Sequence, residues 1–486
     1  MPIHFGTDGW RAVISDTFTF HNLRLVTQAI ADAVASKSWN EGAPERFQPT
    51  SETMVVGFDT RFLSDRYAQD VARVLAGNGY TVYLAQAHTP TPTISYAVRH
   101  LGARAGVMIT ASHNAPRYNG VKLKSSYGGS SLPEQARRVE IYLNDNEERA
   151  RGPNLMDLER AREAGLIKKF NPVPAYYDHL RTLIDFEMIG EKRRHVVVDS
   201  MYGSGKGVIA GILQGTGCEV HEIRSELNPG FGGVHPEPIA QHLGALAGAI
   251  AAGRGSFGIA TDGDADRIGA MDERGTFVDP HKIMALALRH LFENRKMTGD
   301  VVRTVSTTRM LDRLCAGYGL AIHETPVGFN YIADHMLHND VLIGGEESGG
   351  ISFKGHIPEG DGVLMGLLLI EIVAASGGTL TDLVDDLLKT VGPAFYARTD
   401  LRLSRPVQKA AMTRRLVEEA PATIGGESVV EIRTEDGAKY ILADDSWLLI
   451  RPSGTEPVLR VYAEGRSEKM REALLGYGEE VAEGVA

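Results

Sequence analysis

Apolar residues come in short unbroken blocks, each followed by a polar turn and a stretch of helical spacing, and the cycle repeats along the chain. Met54-Val55-Val56-Gly57-Phe58 reads as a strand, a polar turn begins at Asp59, and Tyr67 to Leu75 reads as a helix. Gly79 ends that helix ahead of a second strand, Tyr80 to Leu84. The same order recurs from His195-Val196-Val197-Val198, through Asp199, to Gly217 and Cys218-Glu219-Val220. It recurs again from Val301-Val302, through Ser306-Thr307-Thr308, to Gly319 and Leu320-Ala321-Ile322. Strand, turn, helix, glycine, strand is the signature of βαβ units with parallel strands.

The C-terminal stretch breaks the cycle. Ser446-Trp447-Leu448-Leu449-Ile450 and Val458-Leu459-Arg460-Val461-Tyr462 predict two strands around a polar loop, followed by a closing helix. Linkers are expected near Asn171-Pro172-Val173-Pro174, near Gly275 and near Gly392-Pro393. The expected architecture is α/β: three similar α/β domains with mixed, largely parallel sheets, at 1–170, 171–275 and 276–391, then a smaller α+β domain at 392–486. In such sheets ligands bind beyond the carboxyl ends of the strands. The most apolar helix, Val363 to Ser376, is interrupted by Glu371 and is too short to span a bilayer, so it predicts a buried core helix.

Composition changes this picture only at its edges. A chain of 486 residues is too long for one ordinary core, in line with several domains. A net charge of −11 without any basic run argues against a nucleic-acid surface and means that an anionic substrate needs a local cationic pocket. Cys218 and Cys315 fit no metal spacing, which predicts a reduced, cytoplasmic setting. The N-terminal segment MPIHFGTDGWR lacks the charged start and apolar core of a secretory signal, and nothing predicts a membrane partner.

Four polar loops carry the candidate chemistry. Thr110-Ala111-Ser112-His113-Asn114-Ala115-Pro116 follows the strand Ala105 to Ile109, which exposes Ser112 with His113 in reach as a proton shuttle. Lys122 follows in Tyr118-Asn119-Gly120-Val121-Lys122, a cation suited to a phosphate or to proton transfer; a polar helix-capping turn also fits the Ser-His pair. The strand Phe257 to Thr261 runs into Asp262-Gly263-Asp264-Ala265-Asp266-Arg267, where alternating carboxylates repel one another unless a hard cation lies between them. An EF-hand also fits part of this segment, with Glu273 at its twelfth position, but Arg267 stands where that loop needs glycine. An aspartyl-nucleophile phosphatase loop with Asp262 attacking phosphate is the other rival. Gly344-Gly345-Glu346-Glu347-Ser348-Gly349-Gly350 suits hydrogen bonding to sugar hydroxyls, and Arg451-Pro452-Ser453-Gly454-Thr455-Glu456-Pro457 offers an oxyanion cradle. Tyr202-Gly203-Ser204-Gly205-Lys206-Gly207 lacks the first glycine and the final Ser or Thr of a P-loop and reads as a tight strand-to-helix turn.

In this order, together with Phe5-Gly6-Thr7-Asp8-Gly9-Trp10-Arg11, these loops resemble the α-D-phosphohexomutase superfamily over nearly the whole chain. The resemblance implies four domains around a central cleft, with Ser112 as the phosphoserine. It implies one Mg2+ per active site, held by Asp262, Asp264 and Asp266 with a phosphate oxygen on Ser112. Arg11 and Arg267 match active-site arginines, and His113 and Lys122 match proton-transfer residues. Glu346 and Ser348 match a sugar-reading pair, and Arg451, Ser453, Gly454 and Thr455 match a phosphate clamp. The implied reaction interconverts hexose 1-phosphate and hexose 6-phosphate through a 1,6-bisphosphate, with a glucose 1,6-bisphosphate-type activator to prime the serine. The implied partners are small hexose phosphates, for a monomer or homodimer. The middle residue of Glu346-Glu347-Ser348 is more similar to glucose-phosphate enzymes, whereas the Arg451 loop is shared with phosphoglucosamine mutases. Glucose is therefore expected first, with mannose or glucosamine phosphate as alternatives. Outside the class, a phosphatase or a non-catalytic calcium-binding protein remains. Three positions depart from the common pattern: Ala115 for proline, Ala265 for glycine, and Phe329-Asn330 where lysine or histidine is usual.

Overall fold

Each repeated apolar block forms a strand, because a run buried on both faces is stable only inside a covered parallel sheet. The computed structural model describes residues 3–6, 9–404, 407–452 and 458–484. The first sheet contains β1 (Trp10–Val13), β2 (Thr53–Phe58), β3 (Thr81–Ala85), β4 (Ala105–Ile109), β5 (Tyr118–Ser125) and β6 (Ile167–Phe170), in the order β1-β5-β4-β2-β3-β6. The second contains β7 (His195–Asp199), β8 (Glu219–Ile223), β9 (Phe257–Thr261), β10 (Ile268–Met271) and β11 (Phe277–Val278), in the order β11-β10-β9-β7-β8. The third contains β12 (Asp300–Thr304), β13 (Ile322–Thr325), β14 (Val341–Gly345) and β15 (Ile351–Phe353), in the order β13-β12-β14-β15.

One unit underlies all three sheets. β3-β2-β4-β5, β8-β7-β9-β10 and β13-β12-β14-β15 share one strand order, in which the first three strands by sequence are parallel and the fourth returns antiparallel. The C-terminal sheet differs: β16 (Phe395–Arg402), β17 (Thr423–Ile424), β18 (Glu427–Arg433), β19 (Ala438–Leu442), β20 (Trp447–Pro452) and β21 (Val458–Gly465) pair antiparallel throughout. The helix Glu468–Glu483 packs on this sheet and closes the fold.

Two expectations change. Gly275 is not in a linker but is the turn of the β10–β11 hairpin, at φ +73°, so the second sheet continues to Val278. The second and third units also do not keep separate cores. Their apolar side chains merge into one cluster from Tyr176 to Val391 around the helix Gly362–Ser376. That helix follows the third sheet in sequence yet packs against β9 and β10 of the second as well as β15 of the third. Every residue from Gly362 to Ala374 is buried, and each large aliphatic side chain there contributes about 2 kcal/mol by leaving water. No single helix among the described residues is long and apolar enough to cross a membrane.

The carboxylate within this apolar helix has a structural task. Glu371 accepts hydrogen bonds from His290 Nε2 (2.8 Å), Arg295 Nε (2.9 Å) and the Asp185 backbone N–H (2.8 Å). Burial pushes its carboxyl upward, but His290 and Arg295 hold it below its ordinary 4.5. The contribution is therefore complete above pH ~4.5 and is lost as pH falls through the lowered folded value. Removing one partner of a buried pair strands the other, so Glu371→Ala is expected to lose about 3 kcal/mol or more. Urea unfolding checks this, and a variant within about 0.5 kcal/mol of the parent would remove Glu371 from the core's supports.

Candidate active site

The three chemistry-bearing loops of the repeated units occupy one topological position. The Ser112 loop joins β4 to β5, the Asp262–Arg267 loop joins β9 to β10, and the Glu346–Gly350 loop joins β14 to β15. Each lies where the third, parallel strand ends and the chain turns back. Backbone contacts bring them together. Thr91 N–H donates to Asp264 O (2.9 Å), Ile268 N–H to Gly349 O (3.1 Å), and Gly362 N–H to Ala265 O (3.1 Å). The approach at Gly263 is so close that a Cβ there would lie 2.5 Å from Ser112 O.

Ser112, expected to be exposed at the strand end, is instead fully buried beneath the aspartate loop, and it adopts a left-handed backbone at φ +49°. Its N–H donates to Thr110 Oγ1 (2.9 Å), its hydroxyl donates to Asp262 Oδ2 (2.8 Å), and His113 Nδ1 lies 3.3 Å from the same oxygen. Burial, together with the positive charges of Arg267, Arg11, Lys122 and Arg398, holds the His113 imidazole well below its ordinary pKa, so it is neutral. Arg11 on β1 donates to Asn114 Oδ1 (2.8 Å), which places a second guanidinium beside the loop.

Asp262, Asp264 and Asp266 bring carboxylate oxygens within 4.8 Å of one another, and all three are buried. Burial and repulsion from Asp266 and Asp264 push the Asp262 carboxyl far up. Asp264 is held down despite its burial by Lys122 and by the Thr91 hydroxyl, which donates to Asp264 Oδ2 at 2.6 Å. Lys122 Nζ lies 3.0 Å from Asp264 and 2.5 Å from Asp266. Among the described residues, none donates a hydrogen bond to the buried Asp264 Oδ1. Clustered hard oxygen donors with an unfilled acceptor fit a divalent cation such as Mg2+. The EF-hand reading fails on two counts. Antiparallel strands flank the loop, and Glu273 instead caps the helix Leu380–Val391 by accepting from Leu380 and Thr381 N–H. Ala265, at φ +59°, takes a conformation that glycine adopts without strain, which explains why glycine is usual there.

The other predicted residues divide. Arg267 belongs to the cluster: burial weakens its charge, but Asp266, Asp262, Glu237 and Glu346 more than restore it. That field also places Glu346 beside the Asp loop. Glu346 and Ser348 are half-buried. Glu347, the middle residue, accepts on Oε2 from Ser306 Oγ (2.6 Å) and Thr304 Oγ1 (3.3 Å). Phe329 and Asn330 start the helix Phe329–His338, with Asn330 buried. Arg451 lies at the end of β20 and donates to Asp436 Oδ2 (2.8 Å), which also accepts from Val327 N–H of the third unit (3.0 Å). Ser453, Gly454 and Thr455 lie outside the described residues.

A cleft of about 720 Å³ opens beside Ser112. His113, Asn114, Arg117 and Tyr118 form one wall, His235 and Glu237 of the second unit another, and Arg398, Asp400, Arg402 and Arg460 of the C-terminal sheet the third. Arg451, Glu346 and Ser348 are not on these walls. Arg398, Arg402 and Arg460 are not legible as site residues in the sequence, because alternating positions on β16 and β21 look like solvated strand faces.

Four sequence profiles of the phosphoglucomutase/phosphomannomutase family match in order: α/β/α domain I at residues 2–150, domain II at 174–275, domain III at 279–391 and the C-terminal domain at 406–475. The phosphoglucomutase/phosphomannomutase of Thermococcus kodakarensis is 32% identical over 87% of this chain and 88% of its own. The chain belongs to this family. The phosphoglucosamine mutase of Acetivibrio thermocellus is 31% identical over 95% of this chain and 94% of its own. A crystal structure from Thermus thermophilus, described as that of a phosphomannomutase, matches with a TM-score of 0.84 and 34% identity over the full length of both chains. Members of the family are mutases that move a phosphoryl group within a hexose phosphate, and this chain is a phosphohexomutase.

The loop contact at Gly263 generates a test. Gly263→Ala must push back the carbonyl of Ser112, while the backbone at 263 itself tolerates a side chain. A misplacement of about 1 Å can cost about 100-fold in turnover, so kcat is expected to fall by at least 10-fold with circular dichroism unchanged. Wild-type kcat in a folded variant would show that the two loops do not share one centre.

Proposed function

We propose that the protein interconverts hexose 1-phosphates and hexose 6-phosphates through phosphorylated Ser112, with glucose phosphate the preferred sugar. The observation that carries this reading is the Ser112 hydroxyl, buried and held 2.8 Å from Asp262 Oδ2 within the carboxylate cluster. A serine so placed has its oxygen where a metal-bound phosphoryl group would sit. The bond between phosphorus and Ser112 Oγ breaks as the free sugar hydroxyl forms a bond to phosphorus, and the hydroxyl proton passes to neutral His113. The bisphosphate then turns and returns its other phosphoryl group to Ser112 Oγ, and the proton goes back to the sugar oxygen. Phosphoryl transfer runs through a loose transition state, so the protein contributes mainly position and charge.

Asp262, Asp264 and Asp266 would hold Mg2+, which supplies charge neutralisation for the transferring phosphoryl oxygens. Lys122 and Arg267 add positive charge at the same place, and Arg11 steadies Asn114 of the serine loop. Glu346 and Ser348 read sugar hydroxyls. Arg451, with Ser453, Gly454 and Thr455, grips the phosphate that is not being transferred. The preference for glucose rests on the resemblance of Glu346-Glu347-Ser348-Gly349 to glucose-phosphate enzymes. A second reading, glucosamine phosphate, is favoured by the Arg451 loop and by the name of the Acetivibrio relative.

Incubation with glucose 1,6-bisphosphate is expected to add one phosphate to the intact protein, and Ser112→Ala to abolish both that mass increase and turnover. Active enzyme that never carries phosphate would refute the phosphoserine. EDTA should abolish turnover and Mg2+ restore it. Product analysis with the 1-phosphates of glucose, mannose and glucosamine then decides the sugar. A kcat/KM for glucosamine 1-phosphate above that for glucose 1-phosphate would move the assignment to the second reading, and free phosphate as the product would point to a phosphatase.

A further inference from the structure

In all three repeated units the turn after the first strand braces the chemistry-bearing loop. In the third, Thr304 at the end of β12 and Ser306 just after it hold Glu347. In the second, Ser204 follows β7 and its N–H donates to Gly263 O at 2.9 Å. In the first, the turn after β2 is Asp59-Thr60-Arg61, and its brace is a buried guanidinium. Arg61 Nη2 donates to Ser112 O (2.6 Å) and Asn114 O (2.6 Å), and Nη1 donates to Ala115 O (2.9 Å) and Tyr118 O (3.0 Å). Four carbonyl dipoles of the serine loop thus converge on one planar cation. The side chain is inaccessible to solvent, and Nε lies 3.1 Å from the equally buried Asp59 carboxylate. Ser64 Oγ and the Arg61 N–H fix that carboxylate in turn, at 2.7 and 2.9 Å.

We propose that Arg61 is the positioning residue of the phosphoryl-transfer centre, holding Ser112 in its left-handed conformation. Its hydrogen bonds go to backbone carbonyls from Ser112 onward and not to the Ser112 hydroxyl or the carboxylate cluster, so it acts through the backbone on the C-terminal side of the serine. A non-glycine residue at φ +49° relaxes toward ordinary backbone unless its surroundings over-determine it. Arg61 supplies that constraint at the carbonyl, as Thr110 does at the N–H. The brace also spans two units. The Phe231 ring of the second unit packs against the guanidinium, 4.9 Å from ring centroid to Cζ, and Thr60 Oγ1 donates to Tyr202 O at 2.8 Å. The serine loop therefore reaches its working shape only when the unit carrying the aspartates is docked beside it. A buried ammonium cannot replace this fork, because lysine offers its donors from one atom in tetrahedral directions.

The consequence for turnover rests on the proposed phosphoserine reaction, so the experiment has one arm that depends on it and one that does not. In Arg61→Lys, hydrogen exchange of the amides across 112–118 is expected to quicken while the rest of the first sheet stays protected. In the same variant kcat is expected to fall by about 10- to 100-fold, with the KM for hexose phosphate within about twofold of the parent, because the substrate contacts are untouched. Parent-like exchange or parent-like kcat in folded Arg61→Lys overturns the proposal, as does a raised KM with unchanged kcat. If the parent protein shows no mutase activity, the functional reading fails and the exchange arm alone decides the brace. If Arg61→Lys does not fold, Phe231→Leu decides by the same readouts: a smaller loss of kcat at constant KM with faster exchange at 112–118 supports it, and parent-like values refute it.

Discussion

Three buried carboxylates that face one another within 4.8 Å are the constraint on which the rest of the molecule depends. An interior of low effective dielectric makes their mutual repulsion large, and the groups that hold them either supply positive charge or fix an oxygen in place. Lys122 reaches in from the first unit, Arg267 from the loop itself, and Thr91 donates from the start of the helix Thr91–His100. The cluster thus joins the first two units electrostatically. The raised carboxyl of Asp262 and the lowered one of Asp264 follow from it together, not one residue at a time.

The repeated unit explains why these groups can meet. A loop between a third, parallel strand and a fourth, antiparallel one always leaves the sheet at the same end, so three docked copies direct three such loops toward one centre. Within each copy the turn after the first strand stands beside that loop and braces it. The loops have different compositions (serine, aspartate and glutamate) on one geometric frame. The second and third copies share a core around the helix Gly362–Ser376, whose start donates to Ala265 O. Hydrophobic packing and the geometry of the aspartate loop are therefore coupled at one point.

Much of this was legible in the sequence because it is local. The apolar runs Ala105–Ile109 and Phe257–Thr261 are β4 and β9 with the same bounds, since burial on both faces demands continuous apolar residues. The serine and aspartate loops were legible because clustered polar residues at the end of such a strand have few structural explanations. Arg61, Thr91 and Asp436 were not. Their partners lie 51, 173 and 109 residues away at Ser112, Asp264 and Val327, and periodicity carries no information at that range. Gly275 misled for a related reason: a glycine at positive φ marks a hairpin turn as readily as a linker. The anchoring of Glu347 by Ser306 and Thr304 was not legible either, because those hydroxyls lie 41 and 43 residues away in sequence.

An acidic chain must still attract a dianionic substrate, and the distribution of charge resolves that conflict. The net charge of −11 describes the whole surface, whereas the cleft beside Ser112 is lined by Arg117, Arg398, Arg402 and Arg460 against Asp400 and Glu237. Arg398 and Arg460 keep Asp400 between them, which spaces two guanidinium groups that would otherwise repel. A cationic wall in an acidic protein focuses the field into the cleft and disfavours anion binding elsewhere. The same wall bears on Phe329-Asn330, where a basic residue is usual. Phe329 and Asn330 start a helix there, with Asn330 buried, while Arg398, Arg402 and Arg460 of the C-terminal sheet line the cleft. Arg451 joins the two regions, because Asp436 accepts from both its guanidinium and the Val327 N–H two residues before Phe329. The third unit also holds the C-terminal sheet through Glu324, which pairs with Arg433 and Lys439, and through Arg309 and Arg313, which pair with Asp445, so a shift of the arginine-lined wall must also displace the loop that leads into that helix.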